Sequence, residues 1–171
     1  YALRNVDKLI LEDKDPNYRV LDLTVNTFND AIVSYHHKTI GGYSPAKLQR
    51  YQDMIDFHIS KEMNDLVGDI NKAISSAGTI SAVNEALGYY PVLAMLNTKY
   101  IVIDPSNPPL EYHNRLGNAW LVKSSLSAQN AVQEMAALSL TDPATGAVIF
   151  NPEVEMGTIK EYSDEGTIEL T

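Results

Sequence analysis

A glycine pair, a proline and two bases at short spacing form the stretch of this sequence best equipped for chemistry. Gly41-Gly42-Tyr43-Ser44-Pro45 runs into a segment carrying Lys47 and Arg50. Ser44 has the chemistry of a helix N-cap and Pro45 that of a first helical residue. A helix opening there would present unpaired N–H groups and a partial positive charge, and the two bases could meet a phosphate. Just upstream, Tyr35 and His37 add an aromatic face and an imidazole. Tyr35, His37, Gly41, Gly42, Tyr43, Lys47 and Arg50 therefore form the candidate substrate- or anion-binding set. The plain alternative is a glycine-enabled turn followed by solvated bases, and on residue chemistry alone it weighs more.

Other groupings carry weaker signals. Adjacent side chains of an extended segment point in opposite directions, so His36 and His37 are poorly placed to share a metal ion. His58 and Glu62 are one helical turn apart, where a carboxylate can orient an imidazole, although a surface hydrogen bond is the commoner outcome. Tyr89-Tyr90-Pro91 and Trp120 could stack on sugar rings, but core aromatics are commoner. Asp53 and Asp56 read as a solvated helix face. A metal-dependent hydrolase built on His36, His37, His58 and His113 ranks last. The sequence holds no Gly-x-x-x-x-Gly-Lys-Ser loop, no His-Glu-x-x-His, no Gly-x-Ser-x-Gly and no Gly-x-Gly-x-x-Gly. Neither a metal nor a cofactor is expected, and no catalytic residue is assigned.

The elements that must position these groups alternate between helix and strand. Leu3, Val6, Leu9 and Ile10 predict a short helix over 2–12, and Tyr18 to Val25 reads as a first core strand. A long irregular connection over 26–43 is of the kind that is functional or clamped to a partner. Leu48, Tyr51, Ile55, Ile59, Met63 and Leu66 predict an amphipathic helix starting at Pro45 and stopped by Gly68. Shorter helices are predicted over 69–77 and 81–87, and a further one from Pro91 to Leu96. Tyr100 to Ile103 is a buried strand, closed by the proline-rich turn Asp104 to Pro109. A strand pair is expected between Leu110–Tyr112 and Ala119–Ser124, then a helix capped by Ser127, then a strand from Ala147 to Phe150. Thr158–Tyr162 and Thr167–Leu170 carry the alternation of a hairpin. The fold class is α/β, with α+β as the alternative: one domain over 1–150 with a central mixed sheet and flanking helices, then a C-terminal β-hairpin over 151–171 opening a further β-rich region.

The 171 residues are enough for one core, and at 44% hydrophobic and 20% charged the chain has a globular composition. Thirteen bases against 22 acids give a net charge of −9. No basic face displaces counterions from phosphates, so no nucleic-acid partner is expected. Without cysteine there is no disulfide, no thiolate catalysis and no Cys-ligated zinc. No apolar run approaches the roughly 20 residues that span a bilayer, and both ends read as cut points in a longer chain.

Several ordered motifs resemble one family. Asp15-Pro-Asn-Tyr-Arg-Val-Leu-Asp-Leu-Thr24, Asn26-Thr-Phe-Asn-Asp30, Ser34-Tyr-His-His-Lys38, Ile40-Gly-Gly-Tyr-Ser-Pro-Ala-Lys-Leu-Gln-Arg-Tyr51, Met95-Leu-Asn-Thr-Lys-Tyr-Ile101 and Leu116-Gly-Asn-Ala-Trp120 are similar to the soluble region of the YfhO-type bacterial integral membrane proteins. That family is similar to multi-membrane-spanning glycosyltransferases that use polyprenyl-phosphate-linked sugars. The resemblance, covering about residues 13 to 138, implies an extracytoplasmic domain at the cell membrane, partnered by membrane helices of the same full-length chain. Polyprenyl-phosphate sugar or a glycan acceptor is the implied ligand, with the segment from Tyr35 to Tyr51 making the contact. The catalytic acid of related transferases lies on a loop between membrane helices, so the domain alone is expected to be inactive. A purely structural or assembly role is the competing expectation.

Overall fold

The computed structural model describes residues 1–150 apart from Gly78. Its centre is a three-stranded mixed sheet in the order β1-β2-β3: β1 (Arg19–Asp22) runs parallel to β2 (Thr98–Val102), and β3 (Leu110–Glu111) pairs antiparallel on the other side. The side chains of β1 and β2 alternate between two cores. Val20, Tyr100 and Val102 face Val6, Ile10 and Val33, while Leu21, Ile101 and Leu110 face the helices. Burial on both faces is why these strands read as nearly continuous apolar runs. Lys38 to Ile40 lies along the free side of β1, with a bridge between Val20 and Thr39.

Helix α1 (Asn5–Ile10) covers the smaller core. The larger core belongs to a long helical run made of α2 (Gln49–Met54), a π-helical turn (Ile55–Ile59) and α3 (Ser60–Ala77). The π turn has a cause in the sequence. Tyr51, Ile55, Ile59 and Met63 recur at steps of four, and each such step overshoots an α-helical turn by about 40°. A wider turn takes up the drift and keeps all four against the core. Helix α4 (Ile80–Ala86) is capped by Thr79, whose Oγ1 accepts from the Ala82 amide at 3.3 Å. Helix α5 (Pro91–Met95) opens on its proline as expected. Asn97 then turns the chain into β2 with φ of 55°, a left-handed conformation Asn tolerates.

A second, two-stranded parallel sheet joins β4 (Ser124–Ser127) to β5 (Gly146–Ile149) through α6 (Ala131–Leu138). The α/β class and the single mixed-sheet domain agree with expectation. Four local expectations are corrected. The long helix starts at Gln49, not Pro45: Gly42 N–H donates to Thr27 O at 2.7 Å and Lys47 sits over Phe28, which holds the intervening chain in an extended and turn conformation. Gly68 does not stop the helix, which runs on to Ala77, because Ile70 and Ala73 continue the buried stripe past it. Leu110–Glu111 pairs with β2, and residues 124–127 pair with β5, so the expected pairing of Leu110–Tyr112 with Ala119–Ser124 does not form. Asn130, not Ser127, caps α6, its Oδ1 accepting from the Gln133 amide at 2.9 Å. The hairpin expected over 158–170 lies outside the described residues.

Candidate functional site

Among the described residues, the seven singled out from sequence do not line a common pocket. Tyr35 and Tyr43 are both 62% exposed, and Tyr35 packs its ring on Tyr1 at 4.6 Å between centroids. Gly41 is pressed against backbone: a Cβ there would lie 1.8 Å from Thr27 O. Gly42 has φ of 106°, a conformation that needs glycine. Lys47 Nζ donates to Phe28 O at 3.4 Å and lies 5.6 Å from the centre of the Phe28 ring. Arg50 pairs with Glu134 at 3.1 Å and lies over the Phe150 ring. Both bases thus have internal partners, and the helix that was to present its amides to an anion begins at Gln49, after Lys47 and with Arg50 in its first turn. In this region the glycines serve a close turn that packs loop 26–30 against 40–43.

His37 belongs to a buried charge network. Its Nε2 lies 3.0 Å from Asp7 Oδ1, Arg4 contacts Asp7 at 2.8 Å and Asp22 Oδ2 at 2.7 Å, and Thr24 donates to Asp22 Oδ1 at 2.6 Å. Burial pushes the Asp7 carboxyl up, but the hydrogen bonds from Arg4 and His37 outweigh it and hold the group well below the usual carboxylate range. Burial lowers His37 against the pull of Asp7, so the ring is a neutral donor to that carboxylate. The network ties α1 to β1 and to the 36–38 loop. The ring centres of His36 and His37 are 6.3 Å apart, and among the described residues no three His, Asp or Glu side chains gather as metal ligands.

The concave site lies elsewhere. A groove of about 890 Å³ runs between the π turn and α3 on one side and Tyr89–Val92 and Leu138–Asp142 on the other. The chain builds it from three local events. The π turn projects Phe57, 67% exposed, and buries His58, whose Nε2–H donates to Met135 O at 2.9 Å. One turn on, Glu62 accepts from the Val92 and Leu93 amides at 2.9–3.0 Å, satisfying the open end of α5. Burial pushes the Glu62 carboxyl up, and those two amides oppose the shift. Tyr89 donates to Asp142 Oδ1 at 2.7 Å and Tyr90 to Asp69 Oδ2 at 2.8 Å, which pins the walls together. Burial and the carboxylate acceptors raise both phenols, which stay protonated donors. Asp69 is held below its ordinary value by Tyr90 and then Lys72.

An adjoining apolar recess of about 430 Å³ lies between the π turn and α6, lined by Phe57, Val132 and Met135. Of the groups weighed from sequence, His58, Glu62, Tyr89 and Tyr90 come together in the main groove. Trp120 instead donates its indole N–H to Pro143 O at 2.6 Å, and Asp53 and Asp56 accept from Gln49 and Gln52 on the helix surface. His113 lies out of the groove, 4.0 Å from Glu111. Phe57, Asp65, Asp69 and Asp142 were not anticipated. A signal for the first three exists: Phe57, Lys61, Asp65 and Asp69 recur every four residues, a second face of the same helix.

Such a groove can bind a polyhydroxylated ring. Aromatic faces match the C–H surfaces of a sugar, and carboxylates, amides and phenols accept or donate to its hydroxyls. Among the described residues no helix is long and apolar enough to cross a membrane. No family model, no curated protein and no solved structure matches the chain.

Proposed function

We propose that the chain is an extracytoplasmic domain of a multi-pass membrane protein similar to the lipid-linked-sugar glycosyltransferases, and that it contacts saccharide through the groove beside the π turn. The observation that carries this reading is the joint exposure of two rings, Phe57 and Tyr89, in an 890 Å³ groove whose other walls are hydrogen-bonding groups. The resemblance of the sequence motifs to the YfhO-type proteins supports the membrane setting, and in this reading the bond-making chemistry belongs to the membrane part. Titrating the protein with neutral oligosaccharides and following amide shifts by NMR tests it. Shifts at Phe57, Asn64 and Tyr89 with millimolar affinity, on the order of 4 kcal/mol, are expected. Shifts at 35–51 with a silent groove would return the contact to the glycine segment. Silence everywhere favours the second reading, a structural or assembly domain.

That second reading has its own observation, the internal pairing of Lys47 and Arg50. In the full-length protein, Phe57→Ala with Tyr89→Ala separates the two. Transfer lost with normal membrane assembly supports saccharide contact; assembly lost along with transfer supports the structural role.

A further inference from the structure

We infer that the groove ranks saccharides by charge, holding amine-bearing sugars above neutral ones and neutral ones above acidic ones. The inference rests on the saccharide reading above and names the class of sugar. Four carboxylates, Glu62, Asp65, Asp69 and Asp142, line the groove against two bases, Lys61 and Lys72. Four less two leaves a net charge of −2 when the carboxylates are ionised.

Both bases are paired with carboxylates of the groove. Lys61 Nζ is 2.7 Å from Asp65 Oδ2 and Lys72 Nζ is 3.2 Å from Asp69 Oδ1. Two of the carboxylates are fixed in place: Asp142 Oδ1 accepts from Tyr89 and from the Ala144 amide, and Asp69 Oδ2 accepts from Tyr90. Helix α6 also ends at Leu138, directly before the wall formed by Ser139 to Asp142, so its negative pole adds to the same field.

A phosphate or uronate entering the groove would bring negative charge into a net negative field whose two bases are each shared with a carboxylate. An ammonium on a sugar ring would gain from the carboxylates and from the faces of Phe57 and Tyr89. The charge of the ligand thus changes its affinity while the stacking contribution stays the same. The sugar-phosphate expected from sequence becomes the poorest ligand of the series.

The test compares three β-linked trisaccharides of the same ring, made of glucosamine, glucose and glucuronic acid, by NMR titration of the whole chain below neutral pH. In about 20 mM salt the dissociation constants should rise roughly fivefold from the amine to the neutral sugar and again to the acid. In about 500 mM salt the spread should collapse. Asp65→Asn, an exposed change that leaves the groove walls bonded, should compress it as well. Equal affinities for the three sugars, or tightest binding of the glucuronic acid trimer, would overturn the charge ranking and leave the saccharide reading standing. No groove shifts with any of the three would remove both.

Discussion

Asp7 is only 1% exposed, so its charge depends on the contacts with Arg4 and His37. Removing one partner of a buried ionic network leaves the remaining charge uncompensated, and Asp7→Ala should cost about 3–5 kcal/mol in denaturant unfolding. The pH dependence follows from the same contacts. Asp7 titrates below its ordinary value of 3.8 in the folded protein, so its contribution is complete above that value and drains as pH falls through it. His37 acts in the same direction from a higher starting point. Its folded ring resists the proton that the unfolded ring accepts near 6.5, so stability is lost as pH drops below that value. His37→Gln, which keeps a donor for Asp7, should therefore flatten the stability profile between about pH 7 and 5. A profile as steep as the parent's would show that the folded and unfolded rings take up the proton at the same pH. Glu62 has the opposite sign. Burial raises its folded value, so its titration favours the folded state below about 4.5 and that share is lost as pH rises. A plot of stability against pH for Glu62→Gln should accordingly gain on the parent as pH rises above that value.

Gly68 and Gly41 have opposite surroundings. A methyl group at Gly68 would meet nothing within 4 Å and the position is helical, so Gly68→Ala should stabilise by about 0.5–1 kcal/mol. At Gly41 the added carbon would overlap Thr27 O, and Gly41→Ala should cost about 3 kcal/mol by displacing the loop. The melting temperatures of the two variants should move in opposite directions. Read from sequence, these glycines looked the reverse: Gly68 was the helix stop and Gly41 part of an open site. Local signals were legible where local physics decides the outcome, as with α5 opening on Pro91 and the strand expected over Tyr100 to Ile103, whose Ile101 and Val102 are buried in β2. Ser44 and Pro45 offered a helix start that tertiary contacts through Thr27 and Phe28 overruled. The pairing of Leu110 with Ile101 and of Ser124 with Gly146 joins distant segments, and no short-range period encodes a partner. The same reasoning covers the groove. His58, Glu62, Tyr89 and Tyr90 were visible as chemistry, but their convergence depends on a π turn that was written in the four-residue steps and not drawn from them.

At the scale of the molecule the β4-α6-β5 unit is the part held least by its own core. A two-stranded sheet is marginal alone, β4 is largely exposed, and only Met135, Ala137, Ala128 and Gly146 of this region are well buried apart from turn residues. What fixes it to the main body is a short set of polar ties: His58 to Met135 O, Tyr89 to Asp142 and Arg50 to Glu134. The first two border the groove, so its width is set by the same contacts that seat the unit. His58→Ala removes the donor to Met135 O and leaves a gap beneath α6, a loss of about 2 kcal/mol concentrated at this junction. Native-state hydrogen exchange should register that loss unevenly. The amides of Leu126 and Ala128, bonded within or beside the β4–β5 pair, should exchange some tenfold faster or more, while Leu21 and Ile101 in the central sheet should change little. Equal acceleration at both sheets would mean that the whole chain opens as one unit and that the groove has no independent hinge. Acceleration confined to β4 and β5 would mean that groove width can change without unfolding the domain, and saccharide binding should then slow exchange at those same amides.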